Sequence, residues 1–486
     1  MRSLTLLTDL YQLTMMQGYF ENGTDNKEVV FDMFYRKNPS NGGYAICAGL
    51  EQLVEYVLNL KFSTQDIEYL DSLNIFSQEF LHELQDFKFT GDIDAIEEGT
   101  IVFPNEPLVR VTSTIMQAQL IETALLNIIN HQSLIATKAS RIVMAAKDDT
   151  VLEFGLRRAQ GPDAGIYGTR ATIIGGCNGT SNMLAGKMFD IPVSGTHAHS
   201  WVMSFNTELE AFQAYANTFP NKLILLVDTY DTLASGVPNA IKVFNEIKPA
   251  GVYGIRLDSG DLAYLSKRAR IMLDNAGHQN AIISASSDLD ENIITDLKRQ
   301  GAKIDLWGVG TRLITSKDCP AFGGVYKICA YKEGDKYIPK IKLSDNPIKV
   351  TNPGVKKVVR VYDKESSKVK VDIIALLEEE FDIKQDLVVR DHNARWKKMK
   401  LKANEYTLRE LLVPVMRKGK CIYDFPSVKQ IRDYAKREME TLWEEHVRLL
   451  NPEILPVDLS DDLYYLKEKM LNEFKEVRGA KTCLED

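Results

Sequence analysis

KLILLVDTYD (222–231), GVYGIRLDSGD (251–261), AIISASSD (281–288) and IDLWGVGTR (304–312) repeat one design: a short β-rich run that ends in a cluster of Gly and polar residues. Working outward, TVLEFG (150–155), ATIIGGCNGTSN (171–182), IPVSGTHAHS (191–200) and GGVYKICA (323–330) read the same way. Helical patterns lie between several of them, at 262–277 and 290–301. Strands alternating with helices imply right-handed βαβ units and parallel pairing. Seven or eight such units suit a (β/α) barrel better than an open doubly wound sheet, which has the same rhythm. In both architectures the polar clusters fall at the C-terminal strand ends, whose loops share the rim where ligands bind.

The flanks have a different character. DLYQLTMMQGYF (9–20) reads as a short helix stopped by Asn22-Gly23, and EVVFDMFYR (28–36) as a strand. Residues 42–60 turn helical, 90–112 carry short strands punctuated by Gly and Pro, and 117–146 form a long helix. After 330, residues 337–363 alternate apolar and basic side chains around Asn-Pro and Pro-Gly turns, which predicts antiparallel β structure. A further strand is expected at 369–377, and helices at 427–450 and 459–476. The predicted organisation is an N-terminal α/β lobe (1–149), an α/β barrel bearing the active site (150–330) and a C-terminal α+β extension packing on the other domains (331–486).

Composition narrows the function classes. The 486 residues are 44% apolar and 26% charged, enough to bury a large core. Net charge is −8, whereas proteins that coat nucleic acid are usually basic, so nucleic-acid binding is not expected. Six scattered cysteines without a CxxC pair suit reduced intracellular thiols. The N-terminal apolar run, broken by Asp9, is too short for a signal core, and nowhere do about 18 apolar residues run together. The expected location is the cytoplasm, with no membrane partner.

Chemistry concentrates at the strand ends. GTHAH sets His197 and His199 two apart, on one face if the segment is a strand. The pair admits three readings: structural histidines, a zinc site, or one catalytic His acting as acid, base or nucleophile. None of His82, His131, His278, His392 and His446 stands at a barrel strand end, which argues against zinc. Arg157, Arg158, Arg170, Arg256 and Arg312 crowd the rim; such a cluster needs an anion or compensating carboxylates such as Asp163, Asp228 and Asp258. The small-residue turns GVGTR (308–312) and FGG (322–324) could offer backbone N–H groups to a phosphate. In LDSGD (257–261), Asp261 suits a helix N-cap. Asp258 suits that role less well, and is the better candidate for ribose hydroxyls or Mg²⁺ beside a pyrophosphate.

TDLYQLTM, EFGxRRAQ, GTSN, SGTxAHSWV, RLDSGD, GVGTRL and KxTNPGxKKVxR together resemble the nicotinate phosphoribosyltransferase family from about residue 8 to 360. The resemblance implies an irregular α/β barrel, a lobe drawn from both chain ends, and a homodimer with active sites at the subunit interface. It implies transfer of phosphoribosyl from phosphoribosyl pyrophosphate to nicotinate, giving nicotinate mononucleotide and pyrophosphate. This is the first step of NAD salvage from nicotinate. ATP is a co-substrate, hydrolysed through a phosphohistidine in a ligase-type reaction, and Mg²⁺ accompanies the phosphates. By motif position His199 resembles the phosphorylated histidine. Phe154 and the partner copy's Tyr11 resemble the pair that clamps the pyridine ring. Arg157, Thr180 and Ser181 fall near nicotinate, Arg256 near nicotinate and ribose phosphate, and Asp258 at the ribose. Gly308, Gly310, Thr311, Gly323 and Gly324 would hold the 5-phosphate, and Arg36, Lys138 and Arg141 would contact phosphates.

Ser181 bears on substrate choice. Related enzymes for nicotinamide carry an acid there, which accepts a bond from an amide and repels a carboxylate. Asp228, on a neighbouring strand, is the expected orienting partner of His199. Two other classes compete: a zinc hydrolase using His197 and His199, and a non-catalytic metabolite binder on the same scaffold.

Overall fold

The computed structural model describes residues 3–391, 394 and 396–482; His392 and Cys483 lie outside them. The chain forms two compact units. One comprises Leu134–Pro320 with Ser427–Asp433, and the other Met1–Ser133, Ala321–Pro426 and Tyr434–Asp486. The expected division at 149 and 330 therefore moves to 133 and 320, and the two flanks share one unit.

The unit built on 134–320 carries a six-stranded parallel sheet. Its spatial order is Gly179–Thr180, Thr150–Glu153, Leu306–Val309, Ile282–Ser287, Val252–Leu257, Lys222–Leu226. The register aligns the C-terminal ends: Thr180 faces Glu153, Glu153 faces Val309, Val309 faces Ser287, and Arg256 faces Leu226. Leu223, Leu225, Ile255, Leu257, Ile283, Trp307 and Val309 are all buried, as expected where helices cover both faces of a parallel sheet. The ladder is linear, a parallel half-barrel rather than a closed eight-stranded ring.

Three predicted barrel runs differ. ATII (171–174) ends the helix Pro162–Ile174, which leaves only Gly179–Thr180 as strand. Pro162 starts that helix, and tertiary packing overrides the β preference of its last turn. Residues 191–200 contribute a single bridge, Val193 to Thr180. GGVYKICA supplies Val325–Glu333, which pairs antiparallel with Glu28–Phe34 in the other unit.

That other unit holds a seven-stranded sheet in which Glu28–Phe34 lies between Val325–Glu333 and Val109–Thr114. It also holds a six-stranded sheet built around Lys356–Asp363 and Val369–Leu376. The predicted helix near 9–20 is Leu10–Glu21, started by an Asp9 capping box with Gln12. Arg360 is fully buried and forms a two-pronged pair with Asp372, closest at 2.6 Å. Among the described residues no helix is long and apolar enough to cross a membrane.

Candidate active site

The aligned strand ends open onto a cleft of about 410 Å³, lined by Phe154, Arg157, Ser181, Arg256, Asp258 and the Gly308–Thr311 turn among others. Most of the lining residues lie at or just beyond the C-terminal ends of the parallel strands, and residues 195–198 come from the segment after the Val193 bridge, so one sheet edge gathers side chains far apart in sequence. Phe154 N–H donates to Val309 O at 2.8 Å. Its ring lies over Gly308, where an added Cβ would meet ring carbon Cδ2 at 2.5 Å; only glycine leaves the ring this position. Gly310 passes less tightly by the Phe154 carbonyl, which an added Cβ would meet at 3.2 Å.

Arg157 and Arg158 are exposed at the mouth. Arg256 is set deeper: Nη1 donates to Thr196 Oγ1, and Nε is buried without a partner. Burial pulls the Arg256 guanidinium below its usual range, and Asp258 and Asp228 oppose that shift. Asp258 Oδ1 accepts the Ser286 hydroxyl, and its Oδ2 lies 3.8 Å from His199 Nε2. Ser287, at the end of its strand, has φ 135°, a backbone conformation that L residues rarely adopt, next to the cleft residue Asp288.

The two histidines part company. His199 begins the short helix His199–Met203, with a half-exposed ring beside the cleft and Nδ1 3.1 Å from Thr229 Oγ1. His197 is buried; its Nε2 accepts the Leu226 N–H at 3.2 Å, and the ring meets Tyr215 edge-on at 4.7 Å. With the ring-nitrogen lone pair committed to a backbone N–H, His197 has none to give a metal. Burial holds its pKa down at about 4. The pair therefore does not share a strand face. Among the described residues no cluster of three His, Cys, Asp or Glu side chains could hold a metal ion.

Asp228 does not orient His199. Its Oδ2 accepts the Asp258 N–H at 3.0 Å and the Ser259 hydroxyl at 2.6 Å. Asp261 caps its helix as predicted, accepting the Tyr264 N–H at 2.9 Å. Thr180 is buried, and its hydroxyl turns away from the cleft to Glu153 at 2.6 Å. Lys138 and Arg141, expected at phosphates, are buried and held by Glu291; Lys138 also meets Asp318 at 2.6 Å. Arg312 is paired with Asp290 at 2.5 Å.

Tyr11, Arg36, Gly323 and Gly324 belong to the other unit. Tyr11 is 47% exposed. Arg36 lines a cavity of about 160 Å³ together with Lys327, Lys356 and Lys467. Gly323 is open with φ 75°, whereas the Gly324 N–H is engaged by Asn130 Oδ1 at 3.2 Å. Sequence reasoning missed Thr196, Thr229, Ser286 and Asp288. The polar clusters SASSD and VDTYD held a signal for three of them, since both end predicted strands.

A parallel α/β sheet whose C-terminal rim joins arginines, a ring-sized aromatic face and a small-residue turn defines an α/β enzyme for anionic substrates. Comparison with known proteins narrows this class. Residues 150–366 match the "Nicotinate phosphoribosyltransferase (NAPRTase) family", 6–130 its N-terminal domain and 355–467 its C-terminal domain. The chain is 47% identical over 474 residues to nicotinate phosphoribosyltransferase of Bacillus subtilis, covering 97% of this chain and 96% of that protein. It is 36% identical over 518 residues to the Dictyostelium discoideum protein of that name, covering 94% and 87%. The crystal structure of human nicotinic acid phosphoribosyltransferase superposes with a TM-score of 0.83 at 28% identity, covering 96% of this chain and 100% of that one. The chain belongs to the nicotinate phosphoribosyltransferase family.

Proposed function

We propose that this enzyme joins nicotinate to the phosphoribosyl group of phosphoribosyl pyrophosphate, releasing nicotinate mononucleotide and pyrophosphate. ATP hydrolysis is coupled to the transfer through phosphorylated His199. The observation that carries the reading is the convergence of Phe154, Arg157, Ser181, Arg256, Asp258 and the Gly308–Thr311 turn on one cleft. Membership of the family supplies the substrate class.

The chemistry follows from the residues. Cleavage of the ribosyl C1–O bond builds positive charge on the sugar, as in glycoside hydrolysis. Phe154 supplies a flat face for the pyridine ring and so aims its nitrogen at C1. Arg157 and Arg256 attract the carboxylate, and Ser181 leaves room for it without repulsion. Asp258 faces the ribose. The 308–311 turn receives the 5-phosphate on backbone N–H groups. Asp258 and Asp288 offer hard oxygen donors beside the cleft, but too few to cage an ion alone. They fit Mg²⁺ that arrives with the phosphates and neutralises the departing pyrophosphate.

Phosphorylation of His199 would add roughly −2 charge beside this cationic rim, altering substrate and product affinity. The half-exposed ring of His199 supports this role, and the burial of the His197 ring, with its Nε2 engaged by the Leu226 N–H, favours His199 over that neighbour. Exposed Tyr11 supports a homodimer in which a second copy's ring completes the clamp over nicotinate. The basic cavity around Arg36 supports its phosphate role. A cytoplasmic location suits the five free cysteines among the described residues.

The test is pyrophosphate release with nicotinate, nicotinamide and quinolinate, each with and without ATP. Release with nicotinate alone among the three, accelerated by ATP, is the expected result. His199→Ala should remove both the acceleration and any acid-labile phosphate on the protein. Equal phosphate incorporation in that variant refutes the assignment. Binding of nicotinate without pyrophosphate release would make the protein a metabolite binder.

A further inference from the structure

The strand Thr150–Glu153 ends in a carboxylate that faces no substrate. Glu153 is fully buried, and its side-chain partners are uncharged. Oε1 accepts the Gly155 N–H, directly after Phe154. Oε2 accepts the Thr180 hydroxyl at 2.6 Å and lies 3.1 Å from Thr169 Oγ1. The Glu153 main-chain carbonyl accepts the Ser181 N–H at 3.0 Å.

The network extends one step further. Thr180 Oγ1 accepts the Asn182 N–H at 2.9 Å, and Asn182 Nδ2 reaches Thr169 Oγ1 at 3.2 Å. One residue thus ties together the loop that carries Phe154 and Arg157 and the loop that carries Ser181. These loops supply the aromatic face and one polar wall of the same cleft. The ladder between the two segments is short and stops here: only Leu152 and Glu153 pair with Gly179 and Thr180, and Leu156–Arg158 beyond it is a single 3₁₀ turn.

A buried carboxylate without a cation is costly, and an apolar side chain would fill that volume at lower cost. Burial pushes the Glu153 carboxyl up, while the hydrogen bonds from Thr180, Gly155 and Thr169 pull the other way. A group so placed fits one task best, which is to hold several donors in fixed geometry.

We propose that Glu153 is a positioning residue that sets the spacing between the Phe154–Arg157 loop and the Thr180–Ser181 loop, and with it the fit of the nicotinate ring and carboxylate. This deepens the reading above and rests on it. Glu153 acts through Thr180 and Gly155 and does not touch the substrate.

The test uses the full chain with Glu153→Gln, Thr180→Val and the double variant, each assayed for pyrophosphate release and thermal unfolding. Gln preserves size but puts an N–H₂ where one acceptor oxygen stood. The expected result for Glu153→Gln is a KM for nicotinate raised roughly tenfold, with KM for phosphoribosyl pyrophosphate unchanged and kcat within about threefold. Thr180→Val removes the 2.6 Å bond from the other side and should raise the same constant. The double variant should be no worse than the poorer single one, because both changes break one linkage. An unchanged nicotinate KM in either single variant overturns the proposal, as does an equal rise in both substrates' KM. If Glu153→Gln does not fold, Thr180→Val alone decides by the same criterion. Wild-type enzyme that releases no pyrophosphate with nicotinate overturns the substrate reading itself. Wild-type activity with unaltered variant constants overturns only the role of Glu153.

Discussion

Asp228 Oδ2 accepts the Asp258 main-chain N–H at 3.0 Å, so one carboxylate braces the backbone of another that faces His199. The contacts run in sequence from Asp228 to Asp258 to His199. Asp228→Ala should leave the fold intact, loosen Asp258 and lower kcat by roughly tenfold. Asp258→Asn should cost more, roughly a hundredfold, because it alters the group proposed to face the ribose. Steady-state kinetics on both variants checks the ranking; equal losses would contradict it.

Thr229 holds the other edge of the His199 ring, with 3.1 Å between Thr229 Oγ1 and Nδ1. Thr229→Val removes that partner while keeping the shape. Incorporation of acid-labile phosphate from ATP should fall roughly tenfold, and Thr229→Ser should restore most of it. Transfer measured without ATP should change little.

Ser181→Asp places a carboxylate in the wall of the cleft. Preference for nicotinate over nicotinamide, read as the ratio of kcat/KM values, should drop by roughly ten- to a hundredfold. An unchanged ratio would remove Ser181 from the selectivity argument.

Gly308→Ala would drive a methyl group into the Phe154 ring, whose nearest atom stands 2.5 Å from the new carbon. The strain should cost about 1–3 kcal/mol in urea unfolding, and the KM for nicotinate should rise as the ring is displaced.

His197 makes a pH prediction. Its pKa is about 4 in the folded chain and about 6.5 when exposed. Below pH ~6.5 the unfolded chain binds the extra proton and the folded chain does not, so stability falls as pH drops from ~6.5 toward ~4. The loss at the low end is on the order of 3 kcal/mol. His197→Gln should flatten that part of the stability profile, measured by urea titration at each pH.

Much of this was legible in the chain. VDTYD, RLDSGD and GVGTR each sit at a strand end because a buried parallel strand must be a continuous apolar run, and the polar break marks its exit. The helix cap at Asp261 was likewise readable. Less legible were the places where tertiary packing decides. ATII is β-rich by composition yet closes a helix, and GGVYKICA is a strand by composition with a partner almost three hundred residues earlier. Lys138 and Arg141 looked available because nothing local announces Glu291, about 150 positions downstream. Shorter separations, of about 30 to 60 positions, were enough to hide the true partners of Asp228 and His199. Side-chain pairing across a sheet edge leaves no periodic trace in the sequence.

The pairing of Val29 with Tyr331 has a consequence for biogenesis. During synthesis the Glu28–Phe34 strand emerges early, but one of its two neighbours leaves the ribosome only after some three hundred further residues. The intervening half-barrel has all its own strands by then and is free to fold first, as an insert within an unfinished host. Until that closure the Glu28–Phe34 strand keeps one edge unpaired, and refolding from denaturant should be limited by this late, long-range zipping step.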